Sequence, residues 1–130
     1  MAIKFLAPAL LSFTVAACMT PAAEAPSLTG TNWRFTTIDG AAPVAPETKL
    51  EFAERLSANA GCNGMNGHWH LDGDRLVLEG PMISTRMFCE GKMEQEAAVN
   101  ALLSANPTVE LSGNTLTLKS AEHSAVLARN

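Results

Sequence analysis

The 130-residue chain contains no tyrosine, only 5% aromatic residues and only 17% charged ones. Aromatic side chains anchor many tight protein–protein interfaces, so the lack of tyrosine counts against a high-affinity inhibitor. Basic residues are sparse too: no five-residue window holds more than two Lys or Arg. That excludes the basic footprint of a nucleic-acid binder. The formal net charge is −4, and a negative surface is not drawn to anionic lipid headgroups. The apolar run Phe5 to Ala17 has thirteen residues. As a helix it would rise about 20 Å, short of the roughly 30 Å hydrocarbon core of a bilayer.

That run follows Lys4 and ends at Val15-Ala16-Ala17-Cys18, which reads as the n-region and h-region of a secretory leader. A cysteine behind small residues at this boundary looks like a bacterial lipobox. The expectation is a leader over 1–17, removed so that a lipidated Cys18 becomes the first residue. An alternative cut after Ala23-Glu24-Ala25 has the A-x-A form. It lies beyond the apolar run, and it would place Pro26, with its fixed φ and missing N–H, in the protease's groove. With Met19 and not Asp in second place, similarity to Gram-negative lipoproteins implies an outer-membrane address, the lipid facing the periplasm. Several acyl chains on one cysteine exceed what stable anchoring needs. Loss of the leader removes only Lys4 among charged residues, leaving 8 basic against 13 acidic side chains, a net of −5, over the 113 residues from Cys18 to Asn130. That length suits one domain.

Of three cysteines, setting Cys18 aside leaves Cys62 and Cys89, an even number in an oxidising compartment. A disulfide between them is the expectation, with two buried free thiols as the alternative. Residues 18–29, rich in Ala and Pro, read as an extended tether, and residues 30–130 as the folded domain.

Within that domain the pattern is mainly β. Asn32 to Ile38 sets Trp33 and Phe35 on one face and ends at Asp39-Gly40, a turn signal. Pro43 and Pro46 make Ala41 to Thr48 a loop. Lys49 to Ala53 and Arg55 to Ala60 read as strands, and Gly61-Cys62-Asn63-Gly64 as a turn. His68 to Leu71 and Arg75 to Glu79 form a hairpin around Asp72-Gly73-Asp74. One helix follows, with Met93, Ala97, Ala98, Ala101 and Leu102 on its apolar stripe and Glu94, Gln95 and Asn100 facing away. Thr108 to Leu111, Thr115 to Lys119 and Ser124 to Arg129 are further strands. Leu116 and Leu118 alternate with polar neighbours, giving one buried and one wet face. The predicted class is α+β: about eight short antiparallel strands in a curved sheet or small barrel, packed on one helix.

The most specific pattern is Gly61-Cys62-Asn63, then Gly67, then Ser84-Thr85-Arg86-Met87-Phe88-Cys89. Gly61 and Gly64 permit positive φ around Cys62, and Asn63 can bond its own backbone. A bridge from Cys62 to Cys89 would pin the helix start to the sheet. Together with Trp33, the Ile38-Asp39-Gly40 turn and the closing Leu116-x-Leu118, this order resembles the META domain family, the HslJ-like envelope lipoproteins. The resemblance covers about Leu28 to Arg129. It implies a small β-rich secreted or lipid-anchored domain, linked to heat-shock and envelope-stress responses and to antibiotic tolerance, with no enzymatic activity and no cofactor. It makes Trp33, Gly61, Cys62, Asn63, Gly67, Thr85, Arg86, Met87 and Cys89 structural signatures.

Other residues are weaker candidates. His68 and His70 fall on one side of a strand and with His123 could supply three nitrogens to a metal, yet exposed strand histidines are commonly just polar residues. Cys62 or Cys89 with a histidine could form a nucleophile pair, but no catalytic signature surrounds either. Ser84 lacks the G-x-S-x-G elbow. Arg86 suits an anion, or a pairing with Glu90. Asp72 and Asp74 lack the full calcium-loop pattern and read as turn chemistry. The expectation is a non-enzymatic envelope protein without cofactor, metal, nucleic acid or small-molecule substrate, held to the membrane by its N-terminal lipid and contacting another envelope protein. The alternative is a periplasmic inhibitor of an exported hydrolase, which an exposed, rigid loop would favour.

Overall fold

The computed structural model describes residues 27–130. The expected leader, the lipidation expected at Cys18 and the tether up to residue 26 lie outside the described residues. Alternation of apolar and polar side chains builds most strands. In β1 (Thr31–Ile38) Trp33, Phe35 and Ile38 are buried. The spacing slips from two to three because Thr36 is an extra residue between the pairs Phe35–Leu127 and Thr37–Val126. This bulge returns Ile38 to the core face, and the Thr36 hydroxyl donates to the Val126 carbonyl at 2.8 Å.

Two further strands, β2 (Lys49–Phe52) and β3 (Leu56–Asn59), bury Leu50, Phe52, Leu56 and Ala58. Then come β4 (Gly64–Gly67), β5 (Trp69–Asp72), β6 (Arg75–Leu78) and β7 (Ile83–Ser84). The helix α1 (Met93–Ser104) precedes β8 (Thr108–Ser112), β9 (Thr115–Lys119) and β10 (Ser124–Arg129). All pairings are antiparallel, in one ten-stranded sheet of order β5-β6-β8-β9-β10-β1-β2-β3-β4-β7. The α+β expectation of a curved sheet with one packed helix holds among the described residues, with ten strands in a curled half-barrel. Leu116 and Leu118 are buried between half-buried or exposed neighbours, as their alternation predicts.

The curl is set at one residue. Only His68 separates β4 from β5, yet β5 lies at one end of the sheet order and β4 beside the other end. The chain can make that step only if the sheet bends until its ends approach. Trp69 sits at this seam: its Nε1–H donates to the Ala53 carbonyl at 2.9 Å. Its ring meets Phe52 edge-on, with centroids 4.9 Å apart, a favourable aromatic geometry.

Three sequence expectations are corrected. Gly64 starts a strand instead of closing a turn, and β7 was not expected. Gly64-Met65-Asn66-Gly67 has little intrinsic strand preference and is extended because β3 and β7 pair on either side of it. The helix face is only partly as expected: Leu102 is buried and Ala98 packs against the core, but Val99 and Leu103 are buried with them, whereas Ala97 and Ala101 are exposed. Gln95, expected to face away, instead donates to the Ala60 carbonyl at 2.7 Å and accepts from the Val44 N–H at 2.8 Å. A stripe of small alanines loses to a face that can bury larger side chains and satisfy loop backbone. The helix ends where Asn106 takes a left-handed φ of 51° ahead of Pro107.

The Asp39-Gly40 turn joins β1 to β10. Asp39 accepts from His123 Nδ1–H at 2.8 Å and from the Ser124 N–H at 2.9 Å. These bonds hold its carboxyl below the ordinary carboxylate range, His123 being the larger cause. A lowered folded-state pKa stabilises at pH above the unfolded value, about 4, and that stabilisation fades as pH falls through the folded value. Asp39→Asn should therefore lower the melting temperature at pH 7, with the gap to the parent protein closing as acid protonates Asp39. A gap that is the same at pH 7 and pH 2 would refute this account. Phe52→Ala, which empties the core under the seam, should cost about 3–5 kcal/mol, read as a lower denaturant midpoint at an unchanged slope.

Candidate functional site

The site is built from the turn after β3. Gly61 has φ +103°, and a Cβ there would stand 2.5 Å from the Ala45 Cβ, so only glycine fits. Its N–H donates to Asn59 Oδ1 at 2.7 Å. Gly64, also expected to need positive φ, does not adopt it, and open space surrounds it. The bend at Gly61 leads directly into Cys62 and a buried Asn63.

Asn63 is 2% exposed and makes five hydrogen bonds. Its N–H donates to Glu96 Oε1 at 2.7 Å. Nδ2 donates to Glu96 Oε2 at 2.9 Å and to the Met87 carbonyl at 3.0 Å. Oδ1 accepts from the Met87 N–H at 2.7 Å and the Thr85 hydroxyl at 3.0 Å. Every donor and acceptor of the amide has a partner, and its orientation follows chemically: a flip would set Nδ2 against the Met87 N–H. Cys62 and Cys89 form a disulfide with Cα atoms 5.9 Å apart. The sequence signature residues Cys62, Asn63, Thr85, Met87 and Cys89 thus meet in one knot joining the β3–β4 turn, the 85–89 loop and α1. Glu96 completes the knot, and sequence reasoning missed it. Helical glutamates are usually solvated, and nothing local marked this one.

The Thr85 hydroxyl and the Met87 N–H and carbonyl bond into the knot, while the apolar side chains around them face outward. Phe88 is 80%, Ile83 65% and Met87 59% exposed. Beside them lies an open groove of about 540 Å³ bordered by Met65, Met82, Met87, Phe88, Met93 and Glu96. Arg86 also lines it and is exposed. The pairing with Glu90 does not form: the ion pairs among the described residues are His70–Glu79 and His123–Asp39.

The remaining signature residues lie elsewhere or act through packing. Trp33 is fully buried, its Nε1–H donating to Thr31 Oγ1 at 2.8 Å, with the Arg129 guanidinium 4.9 Å from its ring centroid. Gly67 faces Met82, whose Cγ would lie 3.5 Å from a Cβ at that position. The histidines have separate neighbours: Glu79 for His70, Asp39 for His123, Arg55 Nη1 at 3.4 Å for His68. Among the described residues, no three His, Cys, Asp or Glu side chains gather as a metal site. The Ser84 hydroxyl donates to the neighbouring Thr85 carbonyl at 2.7 Å. Gly73, between Asp72 and Asp74, takes φ +61° in the β5–β6 turn.

Asn63→Ala should cost about 3 kcal/mol, because it strands the Met87 N–H and carbonyl, the Thr85 hydroxyl and one Glu96 oxygen. Asn63→Asp should be at least as damaging at neutral pH, since it turns the donor against the Glu96 carboxylate into an acceptor. A loss below about 1 kcal/mol in equilibrium denaturation would show that the knot is incidental. Opening the disulfide, whose cysteines are 27 residues apart, should cost about 3–4 kcal/mol in the chain-entropy model, measured with and without reductant.

A family model described as META domain matches residues 26–130. Two solved structures share the fold. One, determined by NMR, is 22% identical with a TM-score of 0.66, covering 75% of this chain and 87% of its own. The other, an NMR structure of a protein from Burkholderia xenovorans, is 20% identical with a TM-score of 0.64, covering 85% and 97%. No curated protein matches the chain.

Proposed function

The chain belongs to the META domain family, and from that premise we propose that it is a non-enzymatic, lipid-anchored envelope protein that works by contact with another envelope component, in support of envelope integrity under stress. One observation carries this reading: the knot commits the Thr85 hydroxyl and the Met87 N–H and carbonyl to internal bonds and leaves the Met87 and Phe88 side chains on the surface. An apolar ridge held at fixed backbone positions suits binding. It offers little to acid–base or nucleophilic chemistry, and the two cysteines that could have been nucleophiles are bonded to each other. Anchoring rests on the Val15-Ala16-Ala17-Cys18 sequence behind its apolar run.

The same loop favours a second reading, an inhibitor of an exported hydrolase. It is exposed, disulfide-braced and led by an aromatic side chain, the form of element that can enter a partner's cleft. The lack of tyrosine weighs on the other side.

A photo-crosslinking amino acid in place of Phe88, in the full chain in intact cells, tests both readings. Discrete adducts with outer-membrane assembly or cell-wall proteins, absent when the crosslinker replaces Glu110, are expected. One dominant exported hydrolase would establish the inhibitor, and no adduct above the Glu110 control would overturn the contact role. Separately, Cys18→Ser should abolish incorporation of labelled fatty acid and leave the precursor uncut at that position. Unchanged membrane retention after normal cleavage would point to another anchor.

A further inference from the structure

The chain has six methionines, and two of them, Met1 and Met19, precede the described residues. The other four come from separate segments: Met65 from β4, Met82 from the β6–β7 connection, Met87 from the braced loop and Met93 from the first position of α1. All four border the same groove. We propose that this groove is a thioether site for a soft monovalent d¹⁰ cation, Cu(I) by class, with Ag(I) as its redox-inert equivalent.

The donor set supports this assignment. Thioether sulfur is a neutral, soft ligand that selects Cu(I) over hard cations and over metals that prefer imidazole or carboxylate. Of the competing oxygen donors beside the groove, both Glu96 oxygens bond Asn63, the Thr85 hydroxyl bonds Asn63 Oδ1 and the Ser84 hydroxyl bonds the Thr85 carbonyl, leaving the neutral, hard amide of Asn100. No histidine borders the groove, and Arg86 and Glu96 offset each other in charge.

The backbone that carries the sulfurs is fixed at each point. Met65 is 3% exposed and held between β3 and β7 by pairing with Ala58 and Ser84. Met82 packs toward Gly67, two residues along β4 and so on the same face as Met65. Met87 is held through its N–H and carbonyl by Asn63. Met93 Sδ accepts from the Cys89 N–H at 3.4 Å, which places that sulfur against the loop. Unbranched thioether side chains on such a frame can reorient to converge on an ion, while exposed Met87 and Phe88 border the open side. Leucine would serve as well as methionine if the groove were only packing; the collection of all four described methionines here is what distinguishes it.

The test uses the intact protein with its disulfide closed and any free thiol alkylated. Ag(I) needs no reductant and so leaves the Cys62–Cys89 bond in place. With methionine methyl groups labelled in ¹³C, adding Ag(I) to one equivalent should shift the signals of at least three of Met65, Met82, Met87 and Met93 together, leaving Met19 unmoved. The double variant Met82→Leu/Met87→Leu should weaken Ag(I) binding at least tenfold at a nearly unchanged melting temperature. If that variant fails to fold, Met87→Leu alone, at an exposed position, should still weaken it. Absence of stoichiometric binding, shifts confined to Met87 alone, or affinity untouched by the leucine variants would overturn the site.

Discussion

Everything distinctive about this domain depends on one buried amide. Asn63 is the point where the β3–β4 turn, the 85–89 loop and α1 meet, and its side chain satisfies a backbone N–H, a backbone carbonyl, a hydroxyl and a carboxylate at once. A buried polar group is costly when unpaired and specific when fully paired. Because this amide is fully paired, the loop it holds has one favoured position. The disulfide from Cys62 to Cys89 ties the same two segments covalently, adding to stability chiefly by restricting the unfolded chain. The amide defines the arrangement and the disulfide restricts the alternatives.

The half-barrel supplies the frame for this knot. The step through His68 carries the chain across the seam, and Trp69 over Phe52 closes it. The start of β4 is thereby fixed at one end of the sheet, with β3 on one side and the two residues of β7 on the other. The 85–89 loop leaves from β7, so its origin is set by the sheet and its far end by the disulfide. This is why a short segment without regular structure can hold Met87 and Phe88 on the surface, and why methionines from four segments can border one groove. Contact with a partner and capture of a soft cation would use the same face, so occupancy of one would be felt by the other.

Much of the fold was legible locally. Trp33 and Phe35, or Leu116 and Leu118, declare a strand by period-two alternation, and Asp72-Gly73-Asp74 declares a hairpin by its turn chemistry. The pairing of Cys62 with Cys89 followed from an even number of cysteines once Cys18 is set aside, in a chain expected to be exported. The signature residues around Asn63 were also visible as a pattern, though their joint purpose was not. Glu96 was invisible because its role depends on where the helix lands, and β4 because glycine, methionine and asparagine carry no strand signal. The helix face was misread in part for a related reason: alanines look apolar in sequence, yet Ala97 and Ala101 offer little area to bury, and Val99 and Leu103 join Leu102 in the core instead.

By itself the sequence determined the elements whose information is local: the strands with alternating burial, the glycine turns and, among the described residues, the existence of one helix. Only the tertiary structure decided which helix face turns inward, which residues become strand by being paired, and which polar side chains meet at Asn63. Those outcomes depend on contacts between segments distant along the chain, such as Asn63 with Glu96 or Gln95 with Ala60. No periodicity or turn propensity encodes a contact that arises only when the sheet has curled.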